Sequence, residues 1–445
     1  MSKLQPKIGL HSATFLVVSV IIGSGVFKKI APMAAELGSP LLVVGCWVIA
    51  GLISLAGALS TAELVSLYPN SGGEYHYFQK IYGRFFAFLY GWSSFAVIKT
   101  AAISALAYIF AQSFNSLIPL PELADNLSIK LLASALIIVL TYINYRGIKE
   151  AELFSRLLTY AMLIGIAGLV IWGIISPVGK IEHFQAQKSL SGWTLIKALM
   201  VASLGAFWGY EGWNNIGFIG EEIEQPKRNL PIALTLGTLI VIFSYVALNL
   251  VFVYVLPIDF FISLTDSPNK IAAVEVANAL GGSAGMILVA LLILMTTLNA
   301  TNSTILMSAR ILYAMARDRM FFKAAASVHP SYETPDIALV IQGVWAIALV
   351  FSGSFDQLTD MLVFASFLFY GSSALGVIIM RYREPDLPRV YRVWGYPLIP
   401  LIFVFFCAAL FILTLFNQPR EACFGLGLIA SGIPVYLFLP KKSSD

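Results

Sequence analysis

About twelve stretches of this chain are apolar over the roughly 20 residues that an α-helix needs to cross the hydrocarbon core of a bilayer. They begin near Ile8, Leu41, Phe85, Leu131, Leu157, Leu195, Leu230, Met286, Ile337, Met361, Leu398 and Cys423. Backbone amides find no water in lipid, so such runs must close their hydrogen bonds within themselves, as helices. The composition agrees: 58% of the 445 residues are hydrophobic and 12% charged, where a soluble domain carries roughly 25% charged residues. A soluble chain of this length has no interior large enough for that much apolar surface. The sequence therefore predicts an all-α membrane protein, a single polytopic domain over 1–445.

The loops predict its orientation. With a cytoplasmic N-terminus, the inner loops hold Lys80, Arg84, Arg146, Lys149, Arg156, Lys227 and Arg228, and later Arg310, Arg317, Arg381, Arg383, Lys441 and Lys442. The outer loops hold fewer basic residues, among them Lys28, Lys29, Lys130, Lys180, Lys270 and Arg420. This is the positive-inside pattern, and an even number of spans then puts both termini in the cytoplasm of a cell-membrane protein. The first run lacks the compact apolar core and cleavage site of a secretory signal, so it reads as a retained span.

Several functions find no support. Cys46, Cys407 and Cys423 are too scattered for a disulfide framework. His11, His76, His183 and His329 have no metal-ligand spacing. There is no Walker A segment, and no GxGxxG follows a strand. The sequence predicts no metal, no cofactor, no nucleic-acid partner and no enzymatic activity. The longest polar stretches, around Pro177–Gly192 and Pro257–Gly282, are loop-sized, so function has to reside among the spans.

Two spans carry closely spaced glycines: Val20-Ile21-Ile22-Gly23-Ser24-Gly25-Val26-Phe27 in the first, and Gly205-Ala206-Phe207-Trp208-Gly209-Tyr210-Glu211-Gly212-Trp213-Asn214-Asn215 in the sixth. Each Gly costs about 1 kcal/mol of helix propensity against Ala, which favours unwinding. Unwound backbone at membrane depth is tolerated where it is buried or lines a cavity. A half-helix N-terminus then offers N–H groups to a carboxylate, and the carbonyls before the break suit an ammonium. The alternative is that the glycines serve only as helix-packing faces. Interrupted spans at matching places in two halves favour an inverted-repeat transporter.

With these segments, Tyr68-Pro69-Asn70-Ser71-Gly72-Gly73-Glu74-Tyr75, Gly220-Glu221-Glu222, Pro226-Lys227-Arg228-Asn229-Leu230-Pro231, Ser308-Ala309-Arg310 and Ala316-Arg317-Asp318 resemble the amino acid–polyamine–organocation superfamily. Within it the chain is similar to the L-type amino acid transporters and their bacterial relatives. The resemblance implies a LeuT-type fold of 12 transmembrane helices: a 5+5 inverted repeat over 8–176 and 195–381, two additional helices over 398–439, and discontinuous helices 1 and 6. It implies secondary active transport of amino acids by alternating access, with exchange favoured over proton-coupled symport. A membrane amino acid sensor without transport is the reading from another class. The resemblance places substrate against Ile21, Ile22, Gly23, Ser24, Gly25 and Val26, and against Phe207, Trp208, Gly209, Tyr210, Glu211 and Asn214. The N–H groups of Ser24, Gly25 and Val26 would take its carboxylate, carbonyls near Ile21, Ile22, Phe207 and Trp208 its amino group, and Trp208 would close over it. Animal relatives tie on a glycoprotein through a Cys in the loop after the third span. The loop Ser113–Ser128 has none, so no such partner is expected.

Two charges lie where charge is expensive. Lys99 falls midway along the third span, where insertion costs about 2.5–3.5 kcal/mol, and Glu211 falls inside the sixth-span break. Glu211 could read a cationic substrate, pair with Lys99, or titrate and couple transport to protons. The resemblance also implies a Lys on the fifth span, where alignment through Ile148-Lys149-Glu150-Ala151 puts Met162 instead. Asn299 and Asn302, in a polar patch of the eighth span, would line the cavity or bond between helices.

Overall fold

The computed structural model describes residues 8–147, 149–267 and 269–439. Ile148, Lys441 and Lys442 lie outside the described residues, as do the side chains of 149–154 and 421. The regular elements are helical: α1 (Leu10–Ile21), α2 (Gly25–Lys28), α3 (Ile30–Leu37), α4 (Pro40–Leu67), α5 (Glu74–Tyr82) and α6 (Arg84–Ser93). They continue with α7 (Lys99–Leu117), α8 (Leu127–Arg146), α9 (Lys149–Ile175), α10 (Gly192–Tyr210), α11 (Pro226–Val255) and α12 (Ile258–Ser263). The last are α13 (Ala272–Arg317), α14 (Asp336–Ser352), α15 (Phe355–Arg383), α16 (Leu398–Asn417), α17 (Pro419–Ala430) and α18 (Gly432–Phe438).

Among the described residues, 10 helical stretches are long and apolar enough to cross a membrane. The ninth and twelfth expected spans fall on shorter apolar helices, Asp336–Ser352 and Ala422–Phe438. Burial sorts the bundle into centre and rim. The apolar windows of Leu10–Lys28 and Arg84–Leu117 are 83% and 89% buried, while those of Ser155–Ile175 and Leu398–Asn417 are 28% buried. Large apolar side chains stand exposed along the rim, Ile164, Phe243 and Phe405 among them. Water would penalise such a surface; lipid does not.

Two expectations shift in detail. The eighth run starts earlier than Met286: α13 begins at Ala272 and bends where Gly281 and Gly282 leave helical geometry. The tenth begins at Phe355 rather than Met361, because Ser354 and Gln357 form a capping box that starts the helix there. The most extensive helix–helix interfaces join α4 to α11 and α7 to α13, and the first and sixth stretches meet where α2 and α3 pack on α10.

Candidate functional site

Both glycine-rich segments are broken helices. α1 stops at Ile21, Ile22 turns away with ψ 89°, and helix resumes at Gly25. α10 stops at Tyr210; Glu211 is extended, and Gly212 takes φ 109°, a left-handed value that only Gly adopts cheaply. A 3-10 segment, Trp213–Glu222, comes next. The breaks meet face to face. A methyl group on Gly25 would lie 2.4 Å from Gly209 Cα and 2.8 Å from its N, so the contact depends on both glycines. Across it the Trp208 indole donates from Nε1 to Ser24 Oγ at 3.2 Å. From α11 the Tyr245 hydroxyl lies 2.9 Å from the Ile21 carbonyl and 2.9 Å from that of Gly209, stapling the two C-terminal half-helix ends.

A cavity lies between the breaks. Of the predicted contact residues, Ile21, Gly23, Ser24, Gly25, Trp208 and Glu211 line it. Ile22, Val26, Phe207, Gly209, Tyr210 and Asn214 are not among its lining residues. Phe207 packs on Phe367 and Phe406 at centroid distances of 4.7 and 5.1 Å, and the Tyr210 hydroxyl donates to the Trp47 carbonyl at 3.1 Å. α7 contributes Lys99, Ala102 and Leu106 to the wall, and α13 contributes Thr304.

Asn299 and Asn302 are directed away from the cavity, toward neighbouring helices. Asn299 Oδ1 accepts from Ser155 at 2.8 Å and its Nδ2 donates to Thr159 at 3.1 Å, both on α9. Asn302 Oδ1 accepts from Asn144 of α8 at 2.7 Å. Met162 is buried on α9, and neutral groups join α9 to α1 through Ser155, Ser303 and Ser19.

The two buried charges meet. Lys99 Nζ donates to Glu211 Oε1 at 2.9 Å, with both side chains below a tenth exposed. A π-helical turn, Ser94–Ile98, immediately precedes Lys99; the wider turn re-aims the side chains after it, as such turns do at functional sites. The Tyr370 hydroxyl lies 2.7 and 2.8 Å from the Glu211 oxygens and 3.1 Å from Asn214 Oδ1. Asn214 Nδ2 donates to Glu74 Oε2 at 2.6 Å, and the Tyr90 hydroxyl donates to the same oxygen. Sequence reasoning singled out Lys99, Glu211 and Asn214. It missed Tyr90, Tyr370 and Tyr245, which read as ordinary aromatics in apolar runs, and it left Glu74 as a motif letter.

Ion pairs flank the cavity. Lys29, just past α2, reaches Asp356 at 2.6 Å and Asp360 at 3.5 Å on α15. The Lys28 and Lys29 ammonium groups sit 4.9 and 5.0 Å from the Phe355 ring centroid, and Phe355 packs edge-on to Trp208 at 6.0 Å. At the other end Arg310 of α13 pairs with Glu222 at 3.3 Å.

Residues 8–438 match the model of the family described as amino acid permease. The chain is 30% identical to the b(0,+)-type amino acid transporter 1 of Mus musculus, over 99% of this chain and 89% of that protein. It is 29% identical to the serine/threonine exchanger SteT of Bacillus subtilis, over 99% of this chain and 98% of that one. With the mouse large neutral amino acids transporter small subunit 2, identity is 29% over 97% of this chain and 81% of the relative. A family match over nearly the whole chain, joined to a full-length relative at 30% identity, decides the assignment: the chain belongs to the amino acid permease family.

Proposed function

We propose that this protein carries amino acids across the cell membrane by alternating access, as an exchanger. It does so on a LeuT-type fold of twelve spans with both termini cytoplasmic. The observation that carries the reading is the cavity between the two breaks, with Trp208 bonded to Ser24 across it. An amino acid zwitterion suits that place. Its carboxylate would meet the N–H groups of Ser24, Gly25 and Val26, where helix restarts and the dipole is positive. Its ammonium would meet carbonyls at the two C-terminal half-helix ends, near Ile22, Phe207 and Trp208, since the Ile21 carbonyl is taken up by Tyr245 and Gly23. The apolar wall of Val20, Ala102 and Leu106 would take the side chain.

The helix pairing supports the inverted repeat. If the first five spans repeat in the next five, α4 corresponds to α11 and α6–α7 to α13. Those pairs form the most extensive interfaces, which fits a pseudo-two-fold axis running between the halves. Exchange is favoured because one of the full-length relatives is itself named an exchanger. Among the described residues, the wall also bears no charged group beyond Lys99 and Glu211, which neutralise one another. No disulfide-linked partner is proposed, since Ser113–Ser128 offers no thiol.

The test is uptake of labelled amino acids into proteoliposomes, with and without unlabelled amino acid trapped inside. Uptake that needs the internal amino acid establishes exchange. Accumulation driven by a proton gradient alone replaces exchange with symport. Specific binding without any flux moves the assignment to a sensor.

A further inference from the structure

Glu74 opens α5, between the second and third spanning stretches, one layer behind the cavity, and the exchange reading gives it no task. It is 2% exposed. Its Oε2 accepts from Asn214 at 2.6 Å and from the Tyr90 hydroxyl. Through Asn214 and Tyr370 it adjoins Glu211, whose partner is Lys99.

The helix that Glu74 opens also presents Tyr77, bonded to Ser373 at 3.1 Å. α6 presents Tyr90, α7 Lys99, the sixth-span break Glu211, and α15 Tyr370. Asp318, just past the end of α13, accepts from Tyr75 and Gln79 of the same short helix. Glu63 of α4 is held by Arg381 and Arg389. The inner cluster therefore contains two carboxyl groups and one ammonium, and the ammonium is bonded to Glu211.

A second ionised carboxylate would leave a negative charge unpaired in a buried, water-poor site, and a carboxyl in that position keeps its proton instead. Burial pushes the Glu74 carboxyl above the usual carboxylate range, against the pull of Tyr90, Lys99 and Asn214.

We propose that Glu74 is a proton-binding site that sets the working state of the transporter. With the proton bound, Lys99 belongs to Glu211 and the Asn214–Tyr370 bridge is intact. When the proton leaves to water, ionised Glu74 competes with Glu211 for Lys99 and the bridge between the breaks and α15 loosens. This rests on the exchange reading only where transport is measured; proton binding itself is tested without substrate.

The experiment tracks thermal unfolding of purified wild type and Glu74→Gln from pH 5 to pH 9, with no amino acid present. A carboxyl whose pKa is raised in the folded state stabilises the fold below its unfolded pKa. That contribution is lost as pH rises through the folded value. Wild type should therefore lose thermal stability toward alkaline pH, and Glu74→Gln, which mimics the protonated side chain, should lack that component. Superimposable profiles overturn the proposal. Should Glu74→Gln fail to fold, Tyr90→Phe removes one donor from the carboxylate and must move the wild-type transition to higher pH; an unmoved transition overturns the proposal equally. In proteoliposomes, exchange by wild type should fall up to ~tenfold per pH unit above the transition, while Glu74→Gln stays level. Equal pH dependence of exchange in the two proteins also overturns it. Absence of flux with every amino acid, alongside the expected unfolding profiles, would remove the exchange reading and leave the proton site standing.

Discussion

The Lys99 ammonium lies 2.9 Å from Glu211 Oε1 at the centre of the bundle, and the Tyr370 hydroxyl lies 2.7 and 2.8 Å from the oxygens of the same carboxylate. Two helices and one unwound break are thus held together by a pair that neither lipid nor water can replace. Removing one partner of a buried pair typically costs about 3–5 kcal/mol, because the other charge is stranded. Glu211→Gln and Lys99→Met should each lower exchange at least ~tenfold and destabilise the protein by that order. The double substitution should recover part of both losses. Transport and thermal unfolding of the four proteins form the cycle, and strictly additive losses would exclude direct coupling.

The contact between breaks makes a sharper geometric prediction. A methyl on Gly25 would meet Gly209 backbone at 2.4 Å, and backbone on a half-helix end has no rotamer through which to yield. Gly25→Ala should abolish exchange. Gly45→Ala, whose added carbon meets nothing within 4 Å, should leave exchange unchanged and stabilise α4 by up to about 1 kcal/mol. Equal activity of the two variants in proteoliposomes would mean that the breaks do not approach as described.

How much of this could be read in the sequence differs by residue, for physical reasons. Gly23, Gly25, Gly209 and Gly212 announce the breaks because Gly clusters are costly in a helix and rare without cause. Lys99 and Glu211 announce themselves because charge in lipid needs a partner. The count of helices able to span also comes from length and apolarity, save where a run is short, as at Asp336–Ser352 and Ala422–Phe438. Glu74, by contrast, sits in a polar stretch after α4, where a carboxylate costs nothing until folding tucks it under Tyr90 and Asn214. Tyr245 and Tyr370 sit in apolar runs rich in aromatics, and only their hydroxyl partners distinguish them. Asn299 and Asn302 show the converse: polar residues in a span mark a partner, and the partner here is a neighbouring helix.

The Trp208 indole bond to Ser24, at 3.2 Å, is a single neutral hydrogen bond of about 1 kcal/mol. Trp208→Phe keeps the aromatic cover and removes the donor. The half-saturating concentration for exchange should rise ~fivefold, with the maximal rate nearly preserved. Saturation curves measured under trans-loading check this, and an unchanged half-saturation would remove Trp208 Nε1 from closure.

Lys29 bridges the segment after the first break to Asp356 and Asp360 at the start of α15. Asp356 is about half exposed, its side chain at 49%, so screening weakens its share, and the buried ammonium carries the link. Lys29→Met should shift the population toward a conformation open on the outer side. The readout is an Ala102→Cys probe in the cavity wall, in a background where Cys46, Cys407 and Cys423 are replaced. Labelling by a membrane-impermeant thiol reagent from outside should accelerate several-fold in the Lys29→Met protein. An unchanged rate would make Lys29 a structural anchor rather than a gate.

Side-chain selection depends on which groups of the wall are left uncompensated. Glu211 is the acidic group at the cavity, and its charge is already met by Lys99 and Tyr370, so a cationic amino acid would have to break that pair to gain a partner. The rest of the wall is neutral: Val20, Ala102 and Leu106 are apolar, Ser24 and Thr304 offer hydroxyls, and Asn215 offers an amide whose Oδ1 has no protein partner among the described residues. Neutral amino acids should therefore compete for exchange well above lysine or arginine. Leu106 also limits size, since its Cδ2 lies 2.6 Å from where a methyl on Gly23 would be, tight against the first break. Leu106→Ala should extend exchange to larger neutral amino acids while weakening small ones, the larger hole being worth roughly 1–3 kcal/mol of discrimination. A competition panel against wild type and Leu106→Ala measures both. Preference for lysine in the wild type would show that Lys99 leaves Glu211 when substrate binds, and would return the carboxylate to side-chain recognition.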